Sequence, residues 1–387
     1  MHNCQHVRSA GSKQSRYGYR LGREIPVRIG LSGTPFPETP LDAYGVYRFL
    51  DPSIFGTRFD AFTQRYAITD IFHRPRAYIN QDELKEKIDS LRLTISPEGY
   101  ELPEFQHIVV TVALPEKVQR FYKTLEQDLY GKIENGEVTV ANAAVLFTKL
   151  QCVCSGFILL DREESHDAQH KGTQHALSFL RQAVGATASC VHADVDDATL
   201  SGWQEGARSG ASGSDDGGEH GSSRGDGRRL QTLHTVKADA LRDILLSVPL
   251  TESVVVYARF HVDLAKIHEV AHECGRQSVE ISGRPGRPQA QLQGGKWVEG
   301  PETVMVVQGA TGVEGIDLTR ASKAVYYSYV LELGKYLQSC ARIRRPGQVQ
   351  RCVYYHIVCT GTVDSKIRRL LANKRSVLDG LLQEHEE

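Results

Sequence analysis

The sequence predicts an α/β protein whose sheet is mostly parallel and is covered by helices on both faces. From Leu233 onward, short apolar runs alternate with amphipathic stretches of helical period. Two of the runs, 253–257 and 303–307, are rich in valine, which is typical of strands buried on both faces. Alternating strands and helices favour parallel pairing. We find no internal repeat at a fixed period.

The composition is that of an ordinary globular protein. The chain has 387 residues, enough for two or three domains, with 40% hydrophobic and 24% charged residues and a formal net charge of -1. This charge does not exclude nucleic acid, because a basic cleft suffices for binding. The sequence has no signal peptide and no apolar run of the roughly 18 residues that a membrane span needs. We therefore expect a cytoplasmic protein that does not enter a membrane.

The cysteines are scattered along the chain. Cys152 and Cys154 form the only close pair, and no second pair stands at the spacing of a zinc site. We expect reduced, buried thiols and no metal site.

The first quarter of the chain opens with a polar segment, 1–24, that is rich in arginine and lysine. Residues 26–31 predict a short strand that runs into Ser32, Gly33 and Thr34. Small hydroxyl residues after a strand are where α/β proteins place groups that contact ligands. An ordinary strand-to-loop turn explains the same residues equally well.

Further elements follow in order. An amphipathic helix is predicted at 41–50, and Asp51-Pro52 stops it. The aromatic run at 54–66 indicates core packing. We then expect, in this order along the chain, a helix at 81–93, a strand at 105–112, and helices at 115–130 and 141–150.

The glycine- and serine-rich stretch 201–229 interrupts the pattern. It offers too little apolar surface to offset the entropy of ordering, so we interpret it as a disordered linker or insertion that marks a domain boundary. The regular α/β pattern after it predicts helices at 238–246, 262–274 and 333–342, a long closing helix, and strands at 253–257, 303–307, 324–327 and 352–358.

A glycine-containing loop, 309–318, follows one of these strands. Gly312 and Gly315 bracket a tight turn, and Asp317 lies near its end. Glycines at the carboxyl end of a parallel strand let the backbone approach a phosphate or a sugar closely. A plain strand-to-helix loop would have the same residues.

The segment 338–348 concentrates arginine and glutamine on one helix and the loop that leaves it. Gln338 and Arg342 are one turn apart and share a face. Pro346 disfavours helical geometry at Arg345, so Arg345 should project from the helix end. A guanidinium held in this way can reach phosphoryl oxygens as charge develops on them. The alternatives are a solvated basic patch and sequence-independent contact with DNA phosphates.

Several motifs together resemble those of Swi/Snf-type DNA-dependent ATPases of helicase superfamily two. They occur in the family's order and at its spacing, and the compact form found in bacteria and phages fits best. The third motif and the helix after it are resembled by segments 31–35, 41–44 and 48–56. The fourth, fifth and sixth motifs are resembled by segments 254–260, 311–321 and 338–348, respectively. Residues 361–364 resemble the start of the family's closing helix, and Lys237 resembles the basic residue that opens the second lobe.

The resemblance implies tandem RecA-like lobes, the first incomplete and the second complete, with ATP and Mg²⁺ between them and double-stranded DNA across both. Arg342 and Arg345 would contact the nucleotide phosphates, and Arg345 is the first choice for an arginine finger. The remaining site residues that the resemblance implies are Gln338, Gly312, Gly315 and Asp317 for the nucleotide, and Ser32, Gly33 and Thr34 for coupling to DNA. Arg344 departs from the family, which usually has histidine there.

Two motifs of the family are absent from the sequence. No Gly-x-x-x-x-Gly-Lys-(Ser/Thr) phosphate loop occurs, and 294–297 lacks both its spacing and its hydroxyl. No Asp-Glu-x-His box occurs either. The lysine and the acidic residue that hold phosphate and Mg²⁺ are therefore missing, and we expect negligible ATP hydrolysis by these residues alone.

Three hypotheses account for the missing motifs. An upstream polypeptide could supply them, the start codon could be misplaced, or the chain could be a non-catalytic DNA-binding or regulatory module. The expected domains are a remnant of the first lobe (1–75), an extension of that lobe (76–160), a linker (161–232) and the second lobe (233–387).

Overall fold

The computed structural model describes residues 7–32, 35–36, 38–70, 75–93, 102–134, 140–160, 229–282, 290–309 and 315–382. The expected disordered insertion, 201–229, lies outside these residues except for Arg229. None of the helices in the described ranges has the length and hydrophobicity of a membrane span.

The described part of the chain divides into two compact units. Unit 1 comprises 1–103, 330–349 and 367–387, and unit 2 comprises 104–329 and 350–366. The helices are α1 (Lys13–Glu24), α2 (Asp42–Leu50), α3 (Phe59–Tyr66), α4 (Gln81–Asp89), α5 (Glu116–Glu134), α6 (Val140–Ser155), α7 (Val236–Ser247), α8 (His261–Glu273), α9 (Leu333–Ile343) and α10 (Val363–Leu382). The strands are β1 (Ala67–Thr69), β2 (Pro75–Tyr78), β3 (Phe105–Val112), β4 (Phe157–Leu160), β5 (Arg229–Thr232), β6 (Ser253–Ala258), β7 (Ser278–Ile281), β8 (Leu292–Gln293), β9 (Lys296–Trp297), β10 (Val304–Gln308), β11 (Ala321–Tyr326) and β12 (Cys352–Cys359).

Unit 2 contains a six-stranded sheet among its described residues, in the order β3-β12-β11-β6-β10-β7. Every pairing in this sheet is parallel. Strand β6 lies inside the sheet, and Val254, Val255 and Val256 are fully buried. A strand covered on both faces reads as a continuous apolar run, which is the pattern that predicted it. The predicted α/β class with a large parallel sheet is confirmed.

Helices α7 and α8 pack against the valine-rich strands. Leu241, Leu245, Leu264 and Ile267 share one buried cluster with strand residues such as Val306. Their three- and four-residue spacing puts the apolar side chains on one face of each helix. A smaller cluster, formed by Cys152, Phe157 and Phe260, packs under the antiparallel β4–β5 pair.

Strand β3 corrects the expected domain boundary. We expected 76–160 to extend the first lobe, but β3 pairs with β12 along its whole length, from Phe105 opposite Cys352 to Val112 opposite Cys359. Val110 and Val112 pack against the core of unit 2. Residues 104–160 therefore belong with the large sheet. The expected second lobe also differs, because 330–349 and 367–387 group with unit 1.

Unit 1 is built on aromatic packing, as the run at 54–66 predicted. Phe62 lies at its centre, with ring centroids 4.9 Å from Phe55, 4.9 Å from Tyr66 and 5.2 Å from Tyr44. Most of these rings meet edge-on or tilted, the arrangement that their quadrupoles favour. Asp42 caps the turn before α2, since its Oδ2 accepts hydrogen bonds from the backbone N–H groups of Glu38 and Thr39.

Helix α1 was not predicted from the polar segment 1–24. Ser12 begins it, accepting a hydrogen bond from the backbone N–H of Ser15 at 3.0 Å. The buried face of α1 consists of Ser15, Gly18 and Gly22. These small residues let α1 approach α2 closely, and Arg48 of α2 donates a hydrogen bond to the Ser15 hydroxyl at 2.7 Å.

The strand predicted at 26–31 is wrong, because the structure has no regular secondary structure there. Val27, Ile29 and Leu31 are 72%, 65% and 58% exposed. Their alternation is that of a strand, but a strand forms only where a neighbour supplies hydrogen bonds. Among the residues that the structure describes, no strand pairs with this segment.

The contact between α2 and the segment before α1 makes a first prediction. A Cβ added at Gly45 would lie 2.1 Å from the carbonyl oxygen of Arg8 and 2.4 Å from that of Val7. Gly45→Ala should therefore destabilise unit 1, by about 1–3 kcal/mol, since the backbone must shift to relieve the overlap. Denaturant unfolding monitored by near-ultraviolet circular dichroism measures this change.

Gly11→Ala is the matched control, because nothing lies within 4 Å of a Cβ at that position. It should leave the unfolding free energy within about 0.5 kcal/mol of the original. Equal effects of the two substitutions would contradict the packing of α2 against residues 7 and 8.

Candidate functional site

Helix α9 carries the segment predicted to act on phosphates. It buries Leu333, Ser339, Arg342 and Ile343. It ends at Ile343, because the next residue leaves helical geometry with φ -99° and ψ 88°. The prediction that Arg345 lies beyond the helix is confirmed.

The loop after α9 is tied by hydrogen bonds. The Nε of Arg344 donates to the carbonyl oxygen of Pro103 at 2.9 Å. The backbone N–H of Gln348 donates to the carbonyl of Arg345 at 3.0 Å, and its side-chain Nε2 donates to that of Ile343 at 3.3 Å. Gly347, with φ +97°, makes the turn between them. The loop therefore presents a half-buried Arg345 from a fixed backbone.

Arg342 lies in a different environment from Arg345. Its side chain is only 9% exposed. Gln338, one turn earlier, is half-buried. The two arginines of the predicted site therefore differ in how far they are exposed to solvent.

Ser32 is exposed in unit 1, whereas Gly33 and Thr34 lie outside the described residues. Close to this segment, Glu38 accepts a hydrogen bond at 3.5 Å from the backbone N–H of Gly334, in the first turn of α9. Unit 1 thus brings the start of α9 beside the loop that follows the predicted third motif.

Gly315 and Asp317 are the residues of the predicted nucleotide site in unit 2 that the structure describes, and Gly312 lies outside the described residues. Gly315 has φ +76°, which only glycine adopts without strain. The Oδ1 of Asp317 accepts hydrogen bonds from the backbone N–H of Thr319 at 2.9 Å and from its hydroxyl at 2.7 Å. Asp317 therefore shapes its own loop through these two bonds.

The β8–β9 hairpin fixes the other side of this loop. The backbone N–H of Asp317 donates to the carbonyl of Gly295 at 2.8 Å, and that of Trp297 donates to the carbonyl of Asp317 at 3.2 Å. Gly294 and Gly295 both have positive φ, 58° and 82°, as the tightest hairpin turns require. Segment 294–297 is therefore a hairpin turn and differs from the strand-to-helix geometry of a phosphate loop.

Lys237 and Asp364 form a buried ion pair in unit 2. The Lys237 Nζ lies 2.6 Å from an Asp364 carboxylate oxygen, and the two side chains are 1% and 2% exposed. Lys237 also donates to the carbonyl of Tyr327 at 3.0 Å. Burial opposes the charged ammonium, but the carboxylate of Asp364 outweighs it and raises the pKa of Lys237. Lys237 therefore joins α7 to the start of α10.

Cys154, Cys359 and Asp364 place three potential metal ligands within 4.8 Å of one another. Because Asp364 already pairs with the ammonium of Lys237, a second cation there would meet direct repulsion. Burial also raises the pKa of the Cys154 thiol, which disfavours the thiolate that a metal needs. The cluster is better described as packed thiols beside an ion pair, in line with the expected buried cysteines.

Asp263, in the first turn of α8, was not singled out by the sequence. Its Oδ2 accepts hydrogen bonds from the hydroxyls of Ser155, at 3.2 Å, and Ser328. Burial raises its pKa from an ordinary 3.8 to about 7, although both serines and Lys237 favour the charged form. Aspartate is common in the first turn of a helix, so the sequence does not indicate that this carboxyl group is buried.

A second missed group links adjacent strands of the sheet. His107 on β3 and His356 on β12 share a hydrogen bond of 2.9 Å, and the other ring nitrogen of His356 bonds to the Tyr329 hydroxyl at 2.9 Å. The Tyr326 ring stacks on His356 at 4.9 Å. The sequence showed only that each of two predicted strands carries a histidine. It could not show that these strands, which are far apart in sequence, are neighbours in the sheet.

Comparison with known proteins finds similar proteins named for DNA repair and for chromatin remodelling, while no protein-family model matches the chain. The DNA repair and recombination protein RDH54 of Saccharomyces cerevisiae is 22% identical over 372 residues, which cover 91% of this chain and 33% of RDH54. The chromatin-remodeling ATPase INO80 of Mycosarcoma maydis is 31% identical over 84 residues, 21% of this chain and 4% of INO80.

Among solved structures, the C-terminal part of the Fun30 ATPase domain covers 73% of this chain and 99% of its own, with 13% identity and a TM-score of 0.40. The matched part of this chain spans about a third of the length of RDH54. The sequence matches confirm the predicted resemblance to Swi/Snf-type ATPases.

The buried ion pair generates a second prediction. Lys237→Met should destabilise the protein by about 3–5 kcal/mol, because it leaves the Asp364 carboxylate buried without its cation. The double variant Lys237→Met/Asp364→Leu should recover most of this loss. Urea unfolding of the two single variants and the double variant gives the coupling free energy.

Lys266→Met is the matched control, since Lys266 forms an exposed pair with Glu269 at 2.6 Å. It should cost less than about 1 kcal/mol. A Lys237→Met variant as stable as the control would show that the buried pair does not form.

Asp263 generates a pH prediction. Because its folded pKa is raised, folding favours the protonated form; this stability is complete below about pH 4 and is lost as pH rises toward 7. A shift of this size corresponds to as much as about 4 kcal/mol. Asp263→Asn should therefore remove that pH dependence and raise the unfolding free energy at pH 7.5 relative to the original protein.

The measurement is urea unfolding at several pH values between 4 and 8. Asp243→Asn, at an exposed carboxylate of α7, controls for the chemical change. If Asp263→Asn and the original protein show parallel pH profiles, Asp263 is ionised in the folded protein and the assignment fails.

Proposed function

We propose that this chain, which resembles the C-terminal portion of Swi/Snf-type ATPases of helicase superfamily two, is part of an ATP-driven translocase on double-stranded DNA. The observation that carries the proposal is the placement of Arg345. It follows a helix end, stands in a loop tied to Pro103 and Ile343, and remains half-exposed. The match to a DNA repair and recombination protein along 91% of the chain supports DNA as the partner.

Arg345 is the proposed arginine finger. A guanidinium presented from a rigid loop loses little entropy when it meets a phosphoryl group, and that group gains charge during transfer. Arg342 is buried and more suited to holding α9 in place than to contacting phosphate. Gln338, Gly312, Gly315 and Asp317 are proposed for the nucleotide side, and Ser32, Gly33 and Thr34 for coupling to DNA.

ATP and Mg²⁺ are the cofactors that the resemblance implies, and residues 1–387 do not by themselves fit them. The sequence has no phosphate-loop lysine and no acidic box, and 294–297 forms a hairpin turn. Arg345 can neutralise only part of the charge on a transferring phosphoryl group. The lysine and the acidic residue must come from residues outside this sequence, which we propose are encoded upstream.

The exposed segment 26–31 suits such a partner. Val27, Ile29 and Leu31 are exposed at alternate positions, so strand addition would place them on one face and bury them while satisfying the backbone. We propose that the polypeptide carrying the phosphate loop contributes the neighbouring strand.

A second candidate is a non-catalytic DNA-binding or regulatory module. Arg344 favours it, since the residue replaces the family's usual histidine and its Nε is engaged by the Pro103 carbonyl. The two candidates differ in what Arg345 contacts.

The first test is ATP hydrolysis by purified residues 1–387, with and without duplex DNA. We expect no hydrolysis above background in either condition, because the phosphate loop is lacking. DNA-stimulated hydrolysis that Arg345→Ala abolishes would contradict the proposed dependence on further residues. Robust strand displacement by an assembled motor would count against the proposed translocase and in favour of a helicase.

The second test separates a finger from a DNA contact. Arg345→Ala should leave the salt dependence of duplex binding unchanged if Arg345 addresses a nucleotide. The slope should decrease by about one if Arg345 instead contacts a DNA phosphate. Arg351→Ala, at a neighbouring exposed arginine, is the matched control. A reduced slope for Arg345→Ala alone would favour the DNA-binding module.

A further inference from the structure

We propose that the exposed face of α1 binds the phosphate backbone of duplex DNA, independently of base sequence. This inference rests on the proposed function for its ligand, but it concerns a surface that none of the recognised motifs includes. The face is defined by Lys13, Arg16, Arg20 and Arg23, and we call it the α1 basic stripe.

The stripe lies on one side of the helix. Positions 13, 16, 20 and 23 follow three- and four-residue spacing, and all four side chains are exposed. The buried face, made by Ser15, Gly18 and Gly22, lies on the opposite side. Packing against α2 therefore turns the basic residues outward.

The charge of the stripe is not neutralised nearby. Glu24 is the only acidic residue among residues 1–37 of the sequence. Some exposed basic residues on other helices have carboxylate partners, as Arg65 does with Glu83, Arg120 with Glu116, and Lys366 with Glu126. Among the ion pairs of the described residues, none involves a member of the stripe. This surplus of positive charge exists in a chain whose formal net charge is -1.

The dimensions fit a phosphate backbone. A rise of 1.5 Å per residue separates Lys13 from Arg23 by about 15 Å along the helix axis. One DNA strand presents a phosphate about every 3.4 Å of duplex axis, so the stripe faces about four phosphates. Three of its members are arginines, which bind phosphate oxygens with two parallel N–H groups. Tyr17, exposed beside the stripe, adds a hydroxyl donor of the kind common at DNA backbones.

The helix is held rigidly enough to present these side chains. Ser12 caps its first turn. Arg48 donates hydrogen bonds to the Ser15 hydroxyl at 2.7 Å and to the Ala10 carbonyl at 2.9 Å. Arg28 donates to the carbonyl of Gly22 at 3.0 Å, in the last turn. Contacts at both ends therefore fix the orientation of the stripe within unit 1.

The experiment measures binding of a short labelled duplex of random sequence by fluorescence anisotropy across a salt series. The test variant changes all four stripe residues to glutamine, which keeps helix propensity and removes charge. We expect the slope of log affinity against log salt to decrease in magnitude by about three to four, and affinity at low salt to fall about 100-fold.

The charge-matched control changes Lys117, Lys123, Arg368 and Arg369 to glutamine; these are exposed residues of α5 and α10. It should retain most of the original slope. Equal losses in the two variants, or an unchanged slope in the stripe variant, would overturn the inference while leaving the proposed function intact. Thermal unfolding should confirm that both variants fold.

Two further outcomes are decisive. If the stripe variant loses binding to polyglutamate but keeps its affinity for the duplex, the surface serves an acidic protein and the inference is wrong. If the original protein binds no duplex at any salt concentration, the proposed function fails and the inference fails with it.

Discussion

The buried pair of Lys237 and Asp364 is the interaction on which unit 2 depends. Each charge alone would cost several kcal/mol in an apolar interior, so the fold must bring them together. Their contact joins the start of α7 to the junction of β12 and α10. At that junction Thr362 Oγ1 donates to the Cys359 carbonyl at 2.8 Å, and Tyr122 accepts from the backbone N–H of Val363 at 2.7 Å. The pair thus fixes how the helices meet the carboxyl edge of the parallel sheet, where the Gly315–Asp317 loop also follows its strand.

Unit 1 shows the opposite condition. Its aromatic core is packed, with Phe62 in contact with three other rings, yet Val27, Ile29 and Leu31 remain exposed. Alternate exposed aliphatic side chains of this kind would be covered if another strand paired with the segment. The missing phosphate loop and the uncovered segment thus point to the same explanation. Both are accounted for if the proposed motor includes further residues that supply a neighbouring strand and the cradle for phosphate.

How far the sequence predicted the structure depends on where each signal resides. Valine-rich runs and helical periods are local, so the central strands and long helices were found within a few residues. Helix α1 was missed because its buried face is Ser15, Gly18 and Gly22, which form no apolar pattern. Residues 26–31 have the pattern of a strand without the partner that a strand needs. The motifs made Arg345 and Asp317 candidates for the site, but the burial of Arg342 and the environment of Asp263 depend on the folded structure, which periodicity does not report.

The central claim is that these residues form part of a motor whose phosphate loop lies elsewhere. Sequencing the genomic DNA immediately upstream of the codon for Met1 tests it most directly. The account predicts a coding sequence, in the same or an adjacent reading frame, with a Gly-x-x-x-x-Gly-Lys-(Ser/Thr) loop followed by an Asp-Glu-x-His box. Upstream DNA that encodes neither motif would contradict it and leave the non-catalytic DNA-binding module as the better explanation.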